Sequence, residues 1–194
     1  MKRMLFIVAL TLFAAPVTFA QQSLDHIEFG AFAHYFRLTP TDSNFVGVGG
    51  RFGVNVTSDV QIEAEMSYDF NRVFTENFTN TSGTVTSTRS NLRILHGLFG
   101  PKFQTGSGPI RLFATVKGGF INFRFDPLPS VTSGFTSSVE DLRDNNVDGV
   151  FYPGGGLEAF AGPIGLRVDV GDEIYFNSGA HNNLTVSAGP TIRF

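Results

Sequence analysis

Four groups of residues in this 194-residue chain have types and spacings that could do chemistry. Asp144, Asn146 and Asp148, followed by Gly149, match the D-x-N-x-D-G opening of a calcium loop, in which alternate oxygen donors wrap a hard cation. The twelfth position, however, is Gly155, where that loop needs a bidentate glutamate, so a polar turn accounts for the run more simply. The stretch Gly47–Gly53, GVGGRFG, superficially matches a dinucleotide-binding loop, but Phe52 occupies a required glycine position and no helix follows. Gly154, Gly155 and Gly156 lack the lysine of a phosphate loop, and no cofactor is expected. Of the four histidines (His26, His34, His96 and His181), His96 or His181 could act as a general base. Neither has a serine or an acid beside it at recognisable spacing, so no nucleophile motif is present and no enzyme is expected.

The elements that carry the remaining charges are more informative. From Leu184 to Phe194 the apolar residues Leu184, Val186, Ala188, Pro190, Ile192 and Phe194 alternate with Thr185, Ser187, Gly189, Thr191 and Arg193. A period of two describes a strand with one apolar and one polar face. Its length is about what a tilted strand needs to cross a bilayer. The same pattern predicts strands near Ile27–Phe36, Val46–Val56, Val60–Phe70, Asn91–Phe103, Ile110–Phe125, Phe151–Ala161 and Ile164–Phe176. Phe32 falls out of pattern in the first. In Asn91–Phe103 the facing is open, because Leu92, Ile94 and Leu98 oppose Leu95, Phe99 and Phe103. At Gly118-Gly119 the apolar parity flips from Leu112 and Val116 to Ile121, Phe123 and Phe125, which suggests a bulge.

The connections at 57–59, 104–109 and 162–163 are short, whereas 71–90, 126–147 and 177–183 read as longer loops and 39–44 as intermediate. Short turns at one end and long loops at the other describe an all-β, eight-stranded antiparallel up-and-down transmembrane β-barrel. Lipid offers no partners to bare backbone groups, so such a sheet has to close.

The start of the chain fits this reading. Lys2 and Arg3 precede an apolar run, LFIVALTLFAA, then Pro16 and a Thr18-Phe19-Ala20 end, as in a secretory signal peptide over residues 1–20. Its removal leaves one barrel domain, 21–194, and moves the net charge from −3 to about −5, a balance that offers nucleic acid nothing. Cysteine is absent, so no disulfide framework is available. Charged residues make up 16%, well under the roughly 25% of soluble domains.

Alternation alone does not say which face meets solvent, and a soluble lipocalin-like barrel would reverse the two faces. The polar face decides. It is crowded with glycine and carries Glu28, Glu63, Glu65, Asp69, Glu158 and Asp169 against Arg51, Arg111, Lys117, Arg167 and Arg193. Such a nearly balanced set can pair as an ionic network inside a narrow lumen. One Arg or Lys on the opposite face would cost roughly 2–4 kcal/mol at mid-bilayer. Tyr35, Tyr68, Phe70, Phe123, Phe125 and Phe194 fall near strand ends, where an aromatic girdle sits.

The signal peptide, the strand GVGGRFGVNV with its following EAEMSYDF, and the ending GPTIRF resemble the outer-membrane β-barrel family of OmpA/OmpX type. The resemblance implies a bacterial outer-membrane protein in contact with lipid, with Phe194 as the assembly signal read by the barrel-assembly machinery. Larger relatives append a peptidoglycan-binding domain, an activity not carried over to this barrel. Lipid A-modifying enzymes of eight strands also exist, and His96 or His181 would be their candidate base here. The expectation is a monomeric, non-enzymatic scaffold that displays 71–90 and 126–147 to an extracellular ligand. A small narrow pore is the rival.

Overall fold

The computed structural model describes residues 26–39, 42–79, 85–105, 108–126, 147–177 and 179–194. The expected signal peptide, Asp144 and Asn146 lie outside the described residues.

The ladder comprises β1 (Ile27–Leu38), β2 (Ser43–Asn55), β3 (Val60–Thr79), β4 (Val85–Gln104), β5 (Ile110–Asp126), β6 (Val147–Ala161), β7 (Ile164–Asp172), β8 (Ile174–Phe176), β9 (Ala180–His181) and β10 (Leu184–Arg193). Sequential neighbours pair antiparallel, β1 pairs with β10, and β5 with β6. β7 and β8 continue one another in a single register against β6, and β9 leads into β10. The ten segments are therefore eight staves of a closed barrel.

The break between β7 and β8 has a local cause. The unpaired positions lie opposite Tyr152 and Pro153, and Pro153 has no N–H to donate to the ladder. On the other edge Asn183 continues the β10 pairing: its carbonyl accepts from the Glu173 N–H at 2.8 Å and its Nδ2 donates to the Glu173 carbonyl at 2.9 Å.

At the short-turn end, Gly162 has φ +67° and Pro163 is held at negative φ, the sign pattern of a type II′ hairpin. Between β2 and β3, Thr57 Oγ1 accepts from the Val60 N–H at 3.1 Å. At the other end a one-residue shift separates the Asp69 and Arg72 pairings, and β3 then runs on to Thr79 against a β4 that starts at Val85. Much of the expected 71–90 loop is thus a ribbon extending beyond the barrel wall. Above lipid both faces of a strand meet water, so apolar alternation is not required and an Asn/Thr/Ser-rich stretch can still pair.

Facing follows one parity per stave. Ile27, Phe29, Val46, Val48, Met66, Phe99, Leu112, Leu166, Val168 and Leu184 point outward and are exposed. The first polar outward residues above this belt are Arg37, Asn44, Asn71, Arg93, Asn122 and Asp172, which mark its upper edge. Tyr35 and Tyr68 sit at that edge and donate their hydroxyls to Asn44 and Asn71 at 2.9 and 3.3 Å. Apolar rings with wet tips are what an interfacial belt requires. At the lower edge the Phe29 ring meets Phe52 at 5.0 Å and Phe194 at 6.4 Å.

Two expectations need correction. β5 keeps one register with both neighbours throughout, so Gly118-Gly119 is not a bulge. Ile121 and Phe123 lie on the inward parity of Arg111 and Lys117 and are buried, so Phe123 is no girdle residue; the Phe125 side chain lies outside the described residues. The open facing of β4 resolves with Leu92, Ile94, His96, Leu98 and Lys102 inward. The apolar parity reverses because the lumen changes character along its axis: ionic below, apolar above.

Candidate functional site: the barrel lumen

The lumen is built in tiers. At the short-turn rim Arg111 and Arg193 flank the Phe160 ring, at 4.9 and 4.2 Å from its centroid, and donate to the Gly108 and Gly162 carbonyls. Inward glycines make room for bulky neighbours: a Cβ on Gly154 or Gly171 would run into the Tyr152 ring, and one on Gly49 into Phe32.

Above the rim lies the ionic tier. Arg167 on β7 reaches Glu63, Glu158 (3.2 Å), Asp169 (2.9 Å) and Glu65 (3.8 Å), with its guanidinium 4.1 Å from the Phe113 centroid. Lys102 meets Glu158 at 2.6 Å and Glu63 at 3.3 Å; Lys117 meets Glu63 at 2.9 Å and Glu65 at 2.8 Å. Arg51 spans to Asp169 at 2.8 Å, and Ser187 donates to the same carboxylate at 2.8 Å. Glu28 accepts from Thr191 at 2.8 Å and from Gln61 at 3.3 Å. These groups are buried, apart from Glu65, which is half-buried. The low dielectric that makes an unpaired charge costly here makes each of these contacts strong.

The third tier is a chain of carboxylates and imidazoles. Asp69 on β3 has Oδ1 2.8 Å from His34 Nδ1 and Oδ2 3.1 Å from His96 Nε2. His96 Nδ1 in turn lies 2.7 Å from Glu173 Oε1. A cavity of about 10 Å³, bordered by His34, Ser67, His96 and Tyr152, lies beside it. Phe36, Leu38, Phe45, Leu92, Ile94, Ile121, Phe123, Val150 and Tyr175 form the apolar tier above.

The structure thus places ten of the eleven charged residues read from the sequence in the ionic tier or at the rim, and sets Asp69 in the third tier. Sequence reasoning left Lys102, His34 and Glu173 out of the lumen network and read His96 only as a candidate base. For Lys102 a signal existed, since a lysine within the belt cannot face lipid, whereas Arg93 on the opposite parity lies at the belt's edge. For Glu173 none existed, because its role depends on the break opposite Pro153. Of the candidate calcium ligands only Asp148 is described: it faces inward at the top of β6, with Asn177 Nδ2 at 3.5 Å. As for a general base, His96 is shut inside the lumen. His181 stacks on Tyr175 at 4.8 Å and lies 3.0 Å from the Asn177 carbonyl. Among the described residues neither is hydrogen-bonded to a serine.

An apolar outer belt around a closed ladder and a filled polar interior define an eight-stranded transmembrane β-barrel. The fold is that of the outer-membrane barrels of OmpA/OmpX type. The chain is similar to Ail, the attachment invasion locus protein of Yersinia pestis, solved in complex with the heparin analogue sucrose octasulfate: TM-score 0.52 and 15% identity over 87% of this chain and 97% of that one. It is also similar to neisserial surface protein A, with TM-score 0.51 and 7% identity over 87% and 96% of the two chains. No family model and no curated protein matches the sequence.

Proposed function

We propose that this chain is a monomeric, non-enzymatic scaffold of the bacterial outer membrane, exported by cleavage after Ala20. Its work lies in what the long-loop end presents. The observation that carries this reading is the division of the molecule. Among the described residues the lumen is occupied tier by tier, and the cavity beside His34 and His96 is water-sized, whereas β3 and β4 extend as a paired ribbon past the polar ring that bounds the belt. Loops on a rigid frame are where recognition usually sits. The segments 71–90 and 126–147 are the proposed contact regions for an extracellular ligand, and Leu184–Phe194 the strand offered to the barrel-assembly machinery. The likeness to Ail agrees with a surface-adhesion role.

The test has two parts. Outer-membrane fractionation with N-terminal sequencing should find a heat-modifiable protein that starts at Gln21. Cells displaying the wild type should adhere to host-cell matrix, and those carrying a deletion of 128–145 should lose that adhesion while keeping the folded barrel. Equal adhesion by both would remove the second segment from the proposal.

A further inference from the structure

The third lumen tier differs in kind from the ionic tier below it. Asp69 and Glu173 are both fully buried, and among the described residues the side chains within ion-pair distance of them are the imidazoles of His34 and His96. Imidazole nitrogens and a carboxylate that converge in a buried space are also the donor set of a divalent transition metal.

The geometry points to a divalent transition-metal site of the zinc class, held by His34 Nδ1, Asp69 and His96 Nε2 inside the lumen. The three donor atoms lie within 4.8 Å of one another. A tetrahedral zinc with bonds of about 2.0–2.1 Å sets its ligand atoms roughly 3.3 Å apart. The two N···O pairs, at 2.8 and 3.1 Å to the two oxygens of Asp69, would open by a few tenths of an ångström, and the widest separation in the set, up to 4.8 Å, would close by up to about 1.5 Å through rotation of the imidazoles. Two imidazoles and a carboxylate suit zinc and its first-row neighbours, whereas calcium and magnesium prefer all-oxygen shells.

Two further features agree. Glu173 lies 2.7 Å from Nδ1 of His96, the nitrogen turned away from Asp69. A carboxylate on the far nitrogen of a ligating histidine fixes its tautomer and raises its basicity, the usual support for a metal-bound imidazole. The cavity of about 10 Å³ bordered by both histidines and Ser67 leaves room for one small fourth ligand such as water. Phe36, its ring centre 4.9 Å from that of His96, and Leu98 supply an apolar wall. The site would join β1, β3, β4 and the β7–β8 break, clamping four staves at the level where the lumen turns apolar.

Because the apolar tier closes over the site, the metal has to be present as the barrel forms. The protein is therefore refolded into detergent micelles with and without ZnCl2, dialysed, and assayed for bound zinc, with heat-modified gel migration as the check on folding. Wild type and His181→Gln are expected to keep one zinc per chain and His34→Gln none. Glu173→Gln should weaken zinc binding about 10–100-fold through the positioning of His96. X-ray absorption on zinc-loaded wild type should show two imidazole nitrogens with oxygen completing the shell, a readout independent of whether any variant folds. No retained zinc in folded wild type, equal retention by folded His34→Gln, or a shell without two imidazoles would each overturn the site.

Discussion

Replacing Arg167 by Met tests most directly whether the lumen holds the barrel together. The side chain is 2% exposed and has four carboxylates within 4 Å: Glu63, Glu65, Glu158 and Asp169. The tier as a whole sets five acids (Glu28, Glu63, Glu65, Glu158, Asp169) against four bases (Arg51, Lys102, Lys117, Arg167). Each contact near 3 Å is worth about 5 kcal/mol at an effective dielectric of 20, offset by a desolvation cost of several kcal/mol for burying the guanidinium. Met keeps the apolar stem against Phe113 but leaves five acids facing three bases. The expected loss is about 3–5 kcal/mol, the range for breaking one side of a buried pair. The assay is equilibrium urea unfolding in lipid vesicles, followed by circular dichroism because the chain has no tryptophan. Adding Glu63→Met should recover much of the loss, since it restores the balance at four acids to three bases. A single variant within 1 kcal/mol of wild type would refute the reasoning, because the lumen charges would then have to be hydrated and independent.

On the lipid face, Val168→Arg should cost roughly 2–4 kcal/mol in the same assay, while Val168→Leu is neutral; equal effects would mean that this face does not meet lipid. Gly156→Ala places a methyl against the Val168 carbonyl and the Phe113 ring and should cost about 1–3 kcal/mol, as overpacked cores do. Outward Gly50→Ala, whose Cβ meets only the Gly30 carbonyl at 3.8 Å, should gain about 0.5–1 kcal/mol; the two unfolding midpoints must move in opposite directions. Planar-bilayer recordings on the purified barrel should show no steady conductance, since the ionic tier and the apolar tier obstruct the lumen in series. A stable open level at any voltage would restore the pore reading.

Much of this architecture was legible from alternation. β2, β7, β10 and the Val60–Phe70 part of β3 present one apolar and one polar face, and their parity assigns inside and outside. The readings that failed share one physical origin. Sequence parity equates apolar with lipid, and above the ionic tier the lumen is apolar too. Phe36, Leu92, Ile94, Ile121 and Phe123 therefore look misplaced on their strands when they in fact continue the inward face. A phase slip at Gly118-Gly119 and an undecided β4 were the symptoms. Phe32, Phe113 and Phe160 mislead in another way: they lie inside because Arg51, Arg167 and Arg111 rest on their rings, at 4.5, 4.1 and 4.9 Å. The histidine tier was invisible because it joins residues 34, 69, 96 and 173, which no local spacing relates.

The seam between β1 and β10 makes the barrel a ring in connectivity. The His26 and Ile27 N–H groups both reach the Phe194 carbonyl, at 2.7 and 3.2 Å, and the Phe194 N–H returns to Ile27. Where the polypeptide starts is thus immaterial to the finished ladder. A circular permutant that fuses residue 194 to 26 through a short linker and opens within 128–145 would keep every strand pairing described here, and should refold in vesicles as the parent does. It would also move Leu184–Phe194 from the end of the chain to its interior. Export and insertion in cells would then fail if that strand is read as a terminal address, and an intact fold with lost delivery would separate the two roles of these eleven residues.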